Sequence, residues 1–160
     1  MSAQNENFFQ FEKLLVKLAQ AGVDYATVGG VAVSLNGFVR ATEDVDIIVH
    51  GSPDNLRKLL ACLTGWGEGW ARELKVEDFT IEEGSIRVME NFDLDIFVKM
   101  RGKTLDDFRP NLRFYESEGV RIPFLCPSDL VFLKQGSWRE KDQLDVSAMR
   151  EILSRENGLS

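Results

Sequence analysis

The segment Val28-Gly29-Gly30-Val31-Ala32, followed by Arg40-Ala41-Thr42-Glu43-Asp44-Val45-Asp46, decides the fold. A glycine pair separates an apolar stretch at residues 24–28 from a second one at residues 31–35, and this pattern predicts a strand, a tight turn and a short helix. The β-branched run from Val45 to His50 predicts the next strand. The stretch therefore indicates a strand, helix and strand unit with two aspartates at the start of its second strand.

Asp44 and Asp46 lie two residues apart on that predicted strand, so both carboxylates point to one face while Val45 and Ile47 point to the core. Two like charges about 4 Å apart repel by roughly 4 kcal/mol at an effective dielectric constant near 20. A close pair therefore needs a neutralising partner, and a divalent metal is the obvious one. The alternative is a strand end that carries two solvated aspartates.

Asp93 and Asp95 repeat the pattern on a second predicted strand. If the two strands are neighbours, three or four carboxylates converge, which is the layout for divalent ions that bridge a nucleoside triphosphate. Hard oxygen ligands favour Mg²⁺ or Mn²⁺. His50 is the only histidine, and Cys62 and Cys126 lie in apolar stretches typical of reduced core thiols, so a zinc site is disfavoured.

Length and charge limit the classes of protein. The 160 residues predict one domain over residues 1–160, with C-terminal helices from about residue 127. The 26 acidic and 19 basic residues give a net charge of −7, whereas a non-specific nucleic-acid binder carries a basic stripe. An acidic protein still binds a polyphosphate when a metal supplies the positive charge. A signal peptide and a spanning segment are not expected, which predicts a cytoplasmic protein without a membrane partner.

The rest of the chain predicts an α/β or α+β domain with a mixed sheet. Gly65 to Trp70 is expected to be a loop whose tryptophans either pack on the domain edge or stack on a ligand. Helices are expected at residues 6–21, 53–63, 104–108, 127–138 and 139–154. The last is expected to have Leu144, Ala148 and Ile152 on its apolar face, with Met149 and Leu153 beside it. Strands are expected at residues 80–81, 85–89, 92–100, 113–115 and 120–122.

The residues around the glycine pair suit a phosphate group. Gly29 and Gly30 allow backbone N–H groups to approach an anion closely, although a tight turn without ligand has the same sequence. Arg40 and Thr42 precede the carboxylate pair, and Arg40 either holds a phosphate or pairs with Asp44.

This ordered string resembles the Gly-Gly/Ser and Arg-x-Thr-x-Asp-x-Asp signature of the nucleotidyltransferase fold, the DNA polymerase β-like superfamily. It is especially similar to small bacterial members grouped with abortive-infection toxins and aminoglycoside nucleotidyltransferases. A second match is the C-terminal Lys…Arg-x-Lys-Asp-x-x-Asp segment of the family, here Lys134, Arg139, Lys141, Asp142 and Asp145. The alternative for this segment is an exposed helix face with ion pairs from Arg139 to Asp142 and from Lys141 to Asp145.

The resemblance implies a mixed sheet with helices mainly on one side and a metal-dependent site. Asp44 and Asp46 would bind Mg²⁺ or Mn²⁺, and Asp95 would be the third carboxylate, which contacts the metal and acts as base. Asp95 fits that position better than its rival Asp93 because an apolar run follows it directly. Gly30 departs from the family, in which many members carry serine. The nucleotide-binding residues implied are Gly29, Gly30, Arg40, Thr42, Lys134 and Lys141.

Two functions follow as expectations. The first is an enzyme that transfers a nucleoside monophosphate from ATP or another nucleoside triphosphate to an acceptor and releases pyrophosphate. The acceptor is an RNA end, a small molecule or a protein, and a homodimer or partner protein is expected to complete the site of so short a chain. The alternative is a catalytically weak protein of the same fold that acts as a binding or regulatory partner, for example in a toxin–antitoxin or defence system.

Overall fold

A computed structural model describes residues 3–158, in which six helices and six strands form. The helices are α1 (Ala3–Gln20), α2 (Gly29–Leu35), α3 (Pro53–Thr64), α4 (Leu105–Phe108), α5 (Pro127–Lys134) and α6 (Glu140–Gly158). The strands are β1 (Tyr25–Val28), β2 (Asp44–Val49), β3 (Ser85–Met89), β4 (Asp93–Phe97), β5 (Arg113–Ser117) and β6 (Val120–Phe124). Three short 3₁₀ turns are Trp70–Glu73, Val76–Asp78 and Arg109–Asn111.

The strands form one mixed sheet in the order β3-β4-β2-β1-β6-β5. The pairs β2–β4 and β1–β6 are parallel, and the other neighbours are antiparallel. In the β2–β4 pair Asp44 lies opposite Asp93, and Asp46 lies opposite Asp95. The expected mixed sheet is confirmed, and the register brings the two predicted carboxylate strands side by side.

Helices cover both faces of the sheet rather than mainly one side. Ile47 packs in an apolar cluster with residues of α1 and α3, whereas Ile48 packs with residues of α4, α5 and α6. Both isoleucines are fully buried. The reason is the unbroken apolar run at the end of β2, because adjacent residues of a strand point to opposite faces and each face then needs a cover.

Local signals position α3 and the turn between β1 and α2 as expected. Ser52 Oγ accepts a hydrogen bond from Asn55 N–H at 3.3 Å, and Pro53 is the first residue of α3. Gly29 has a φ of +66°, and a Cβ atom there would collide with the Asp46 carboxylate. Gly29 therefore allows α2 to begin directly above the carboxylates of β2.

Two expected elements are wrong. Residues 80–81 form no strand, and Ile81 is 65% exposed. Helix α5 ends at Lys134, not near residue 138, because Gln135 is extended and Gly136 has a φ of +81°. In α6, Met149 is buried and Ala148 and Ile152 pack against the same cluster, as expected, whereas Leu144 is exposed. Asp145 and Val146 are buried as well.

The two tryptophans of the expected loop and the two cysteines differ in their surroundings. Trp66 packs on the ring of Phe92, with 5.3 Å between centroids, whereas Trp70 is exposed. Cys62 and Cys126 are free and buried, which confirms the expectation of reduced core thiols. No helix between residues 3 and 158 has the length and apolar character needed to cross a membrane.

Candidate active site

A cavity of about 350 Å³ opens above the N-terminal ends of β2 and β4. Gly29 and Asp93 are not part of its lining, although Gly29 directly precedes Gly30 and Asp93 lies opposite Asp44 in the β2–β4 pair. Among the site residues expected from sequence, it is lined by Gly30, Arg40, Thr42, Asp44, Asp46, Asp95, Lys134 and Lys141. Other residues in the lining include Glu43, Arg87, Phe97, Arg139 and Asp142. The fold thus collects segments from distant parts of the chain in one polar cavity.

Asp46 carries the most perturbed carboxyl group in the cavity. Burial raises its pKa to about 7, and the charge of Asp95 and a hydrogen bond to that carboxylate act in the same direction. Burial also raises the pKa of Asp44, although Arg87 opposes the shift. The negative charge of Asp44 also contributes to the raised pKa of Asp46, as expected for two like charges close together.

The raised pKa of Asp46 predicts a pH dependence of stability in the absence of divalent metal. Between its usual value of 3.8 and about 7, the native protein keeps a proton that the unfolded chain releases. This group therefore makes the free energy of unfolding fall as pH rises through that range. We expect Asp46→Asn to become more stable relative to the wild type as pH rises, in urea titrations with EDTA at about pH 5 and about pH 7.5. A difference that stays constant would contradict the raised pKa.

Arg87 of β3 is a site residue that sequence reasoning missed. Its Nε and Nη2 atoms donate hydrogen bonds to the two carboxylate oxygens of Asp95 at 2.8 and 2.9 Å. Its Nη1 atom contacts Asp93 at 3.2 Å, and its Nη2 atom lies 3.6 Å from Asp44. A charged residue between Ile86 and Val88 was the available signal, but the partner depends on the antiparallel register that places Arg87 opposite Asp95.

Arg40 and Lys134 meet at Asp145 of α6, which is fully buried. The Arg40 guanidinium donates to both Asp145 oxygens at 2.7 and 2.6 Å, and Lys134 Nζ donates at 2.8 Å. The suggested pairing of Arg40 with Asp44 is therefore wrong. Lys134 also contacts Asp142 at 3.3 Å. This cluster ties the segment before β2 to the last two helices.

The C-terminal basic residues do not form the exposed ion pairs considered as an alternative. Asp142 and Asp145 contact Lys134 and Arg40, and in the described part of the chain neither Arg139 nor Lys141 has an ion-pair partner. Both line the cavity. Their positive charges are therefore available to an anionic ligand.

Gly30 lies close to the Thr42 and Arg40 side chains in the cavity wall. A Cβ atom there would lie 2.8 Å from Thr42 Oγ1 and 3.0 Å from Arg40 Nη2. Thr42 Oγ1 itself has only a long hydrogen bond, 3.4 Å, to the Asp44 carbonyl oxygen. The Thr42 hydroxyl and the Arg40 guanidinium thus lie within hydrogen-bonding distance of the position next to Gly30, beside the carboxylates, which suits a phosphate oxygen.

The carboxylates suit a hard divalent cation by chemistry. Asp44, Asp46 and Asp95 supply oxygen ligands only, and burial together with the negative charge of Asp95 raises the pKa of Asp46 and so favours its protonated form. A divalent cation would remove the need for that proton. Within residues 3–158, no three His, Cys, Asp or Glu side chains are already grouped as a metal site.

Solved structures of similar fold include a lincosamide antibiotic adenylyltransferase, ANT(2″)-Ia and a nucleotidyltransferase-like protein. The lincosamide antibiotic adenylyltransferase LnuA with lincomycin bound has a TM-score of 0.60 at 17% identity, over 92% of this chain and 96% of that one. ANT(2″)-Ia in complex with adenylyl-2″-tobramycin has a TM-score of 0.58 at 12% identity, over 94% of this chain and 91% of that one. An antigenic nucleotidyltransferase-like protein from Paracoccidioides brasiliensis has a TM-score of 0.54 at 19% identity, over 91% of this chain and 75% of that one. At these identities the likeness shows the fold.

Sequence comparison identifies the family. No curated protein sequence matches the chain. A family model described as nucleotidyltransferase of unknown function, DUF6036, matches residues 6–155. The match spans nearly the whole chain and agrees with the fold, with the carboxylate strands and with the resemblance noted from the motif. This chain belongs to that family of nucleotidyltransferases.

Proposed function

We propose that this protein is a metal-dependent enzyme that transfers a nucleoside monophosphate from a nucleoside triphosphate, with ATP as the first candidate, to an acceptor. The observation that carries the proposal is the parallel register of β2 and β4. It brings Asp46 opposite Asp95 in a cavity that Arg40, Thr42 and Lys141 also line. Carboxylates for a metal and cations for a triphosphate therefore lie in one site.

Asp44, Asp46 and Asp95 would hold the Mg²⁺ or Mn²⁺ ions. When bound, such ions offset the negative charge of the triphosphate and of the leaving pyrophosphate. The chain's own contribution is to fix the three carboxylates on two adjacent strands, with Val45, Ile47 and Leu94 buried on the opposite face. A rigid sheet thereby sets the spacing of the ligands.

The basic lining would orient the triphosphate. Lys141 and Arg139 have no ion-pair partner in the part of the chain that the structure describes, so they are free to contact phosphate oxygens. Arg40 and Lys134 are held by Asp145 and add positive charge at fixed positions. Gly29 and Gly30 would keep the adjoining backbone free of side-chain atoms.

Asp95 would act as the base. In the proposed reaction the acceptor oxygen attacks the α-phosphorus, a new oxygen–phosphorus bond forms, and the bond to the β-phosphate breaks so that pyrophosphate leaves. When the acceptor is a hydroxyl, its proton passes to the Asp95 carboxylate. Support for Asp95 over Asp93 comes from the cavity, which Asp95 lines and Asp93 does not.

Gly30→Ala tests the proposed phosphate site. A methyl group at Gly30 would press against Thr42 Oγ1 and the Arg40 guanidinium, where a phosphate oxygen is proposed to bind. We expect the affinity for a non-hydrolysable nucleoside triphosphate to fall by about tenfold or more, because one phosphate contact is worth roughly 1.5–3 kcal/mol. Calorimetry with Mn²⁺ present measures this. Gly65→Ala is the control, because Gly65 lies outside the cavity at the end of α3.

If Gly30→Ala binds the nucleotide as tightly as Gly65→Ala does, Gly30 does not face a phosphate. Melting temperatures of both variants are needed, because Arg40 is also a partner of the buried Asp145. A loss of nucleotide affinity in a variant that melts close to the wild type separates binding from folding.

The overall function is tested by labelling. The protein is incubated with each α-labelled nucleoside triphosphate, Mg²⁺ or Mn²⁺, and candidate acceptors. Small hydroxyl-bearing antibiotics come first because of the lincomycin and adenylyl-tobramycin complexes of the same fold. RNA ends and proteins of a cell extract follow. A labelled acceptor supports the proposal and names both substrates.

Absence of a labelled product with every triphosphate, with or without a cell extract, would favour the alternative of a catalytically weak binding or regulatory partner. That a homodimer or a partner protein completes the site also stays a prediction. The requirement for a partner protein is tested by adding an undenatured cell extract, because transfer to the acceptor would then occur only when the extract is present.

A further inference from the structure

Arg87 holds the carboxylate cluster together in the absence of metal. Its guanidinium donates hydrogen bonds to both oxygens of Asp95, at 2.8 and 2.9 Å, and to Asp93 at 3.2 Å. Its distance to Asp44 is 3.6 Å. One side chain thus contacts carboxylates of both strands, β2 and β4, which are the strands that carry the proposed metal ligands.

Arg87 and a divalent cation would compete for the same atoms. Bidentate hydrogen bonding occupies both oxygens of Asp95, so the proposed third ligand has no free oxygen on the side that faces Arg87. A guanidinium and a divalent cation on one carboxylate cluster also repel each other. The cation is therefore expected to bind Asp95 more weakly while Arg87 keeps these contacts, and more tightly when Arg87 moves or when its charge is balanced by an added anion.

The position of Arg87 permits such a movement. It lies on β3, which is the edge strand of the sheet, and its side chain is 48% exposed. It also lines the cavity in which the triphosphate is proposed to bind. A long side chain that is half exposed can exchange one partner for another without leaving a packed core.

We propose that Arg87 is a positioning residue that occupies the carboxylate cluster until nucleotide arrives, then transfers its contacts to the triphosphate and leaves Asp95 to the cation. This rests on the proposed function. Its consequence is a coupling: metal alone binds weakly, and the nucleotide strengthens metal binding because it becomes the new partner of Arg87.

The test measures Mn²⁺ binding to the full-length protein by calorimetry without nucleotide. We expect Arg87→Met to bind Mn²⁺ about tenfold more tightly than the wild type, because a competing positive charge has been removed. Arg57→Met is the control. It removes the same charge from an exposed ion pair with Asp54 on α3, and its Mn²⁺ affinity should equal that of the wild type.

Arg87→Gln guards against a folding defect, because glutamine can still donate a hydrogen bond to Asp95 without carrying a charge. It should show the same tightening. A second readout is the coupling, the factor by which a non-hydrolysable triphosphate tightens Mn²⁺ binding. That factor should be smaller in both Arg87 variants than in Arg57→Met.

Equal Mn²⁺ affinity in the wild type and in both Arg87 variants would overturn the role of Arg87 and leave the proposed function standing. No Mn²⁺ binding to any variant, with or without nucleotide, would overturn both the role of Arg87 and the metal-dependent function. Transfer of label by the wild type in the labelling experiment would then show that the function proceeds without this metal site.

Discussion

Asp95→Asn is expected to lower the rate of nucleotidyl transfer by about 10²- to 10⁴-fold, the usual loss when a general base is removed. Asp95 lies opposite Asp46, lines the cavity and is almost fully buried. Asparagine keeps the size and one acceptor oxygen but cannot take a proton from the acceptor. The rate of pyrophosphate release with a saturating acceptor measures the effect.

The melting temperature of Asp95→Asn is expected to stay close to that of the wild type because two effects oppose each other. The variant loses one of the two hydrogen bonds from Arg87 and the charge that strengthens the other, and it also loses the negative charge that helps to raise the pKa of Asp46. A large drop in rate without a large drop in stability is therefore the expected signature of a role in the reaction.

Asp93→Asn is the matched control. Asp93 lies on the same strand and the same face, and it also contacts Arg87, but it does not line the cavity. We expect its rate to stay within about tenfold of the wild type, below the loss typical of a general base. An inactive Asp93→Asn with an active Asp95→Asn would exchange the roles of the two residues. Full activity in both variants would show that β4 takes no part in the chemistry.

Asp145→Asn is expected to lower the free energy of unfolding by about 3–5 kcal/mol, as when one partner of a buried ion pair is removed. Asp145 is fully buried and accepts hydrogen bonds from both Arg40 and Lys134. Without its charge, two cations remain close together with only the Asp142 carboxylate in contact with Lys134. Urea denaturation with EDTA at neutral pH measures the loss.

The same contacts predict how the loss depends on pH. Burial alone would raise the pKa of Asp145, but the hydrogen bonds from Arg40 and Lys134 outweigh it and lower the pKa below its usual value of 3.8. A lowered pKa contributes stability above the usual value, and this contribution is lost as pH falls through the lowered one. The difference between the wild type and Asp145→Asn should therefore shrink in strong acid.

Glu151→Gln is the control on the same helix. Glu151 pairs with Arg155, but both side chains are exposed. An exposed pair contributes about 1 kcal/mol or less, so this variant should unfold close to the wild type. If Asp145→Asn and Glu151→Gln lose equally little stability, Asp145 does not hold the segment before β2 to α6.

Local sequence patterns determined most of the elements. Alternation in β2 placed Asp44 and Asp46 on one face with Val45 and Ile47 on the other, and the Ser52-Pro53 signal set the start of α3. Such features depend on neighbours within a few residues, so they can be predicted from the chain itself. Two local predictions were wrong. Residues 80–81 form no strand because their weak strand preference is not supported by burial. The extra turn expected in α5 is absent because Gly136 adopts a left-handed conformation.

The ordered motif also determined one continuous part of the cavity lining. Gly30, Arg40, Thr42, Asp44 and Asp46 lie within 17 positions of each other, and all of them line the cavity. Their roles toward metal and nucleotide stay predictions. The helices on both faces of the sheet could have been anticipated from the apolar run Ile47-Ile48-Val49, which leaves neither face polar at the end of β2.

Only the tertiary structure decided which charges meet. Arg40 and Asp145 are 105 residues apart, and their pairing depends on how α6 packs against the segment before β2. Arg87 meets Asp95 because β3 and β4 are antiparallel in one particular register, and a shift by one residue would turn Arg87 to the opposite face. The sequence by itself determined which side chains are charged and which share a face. Their partners depend on long-range strand register and helix packing, which local periodicity does not encode.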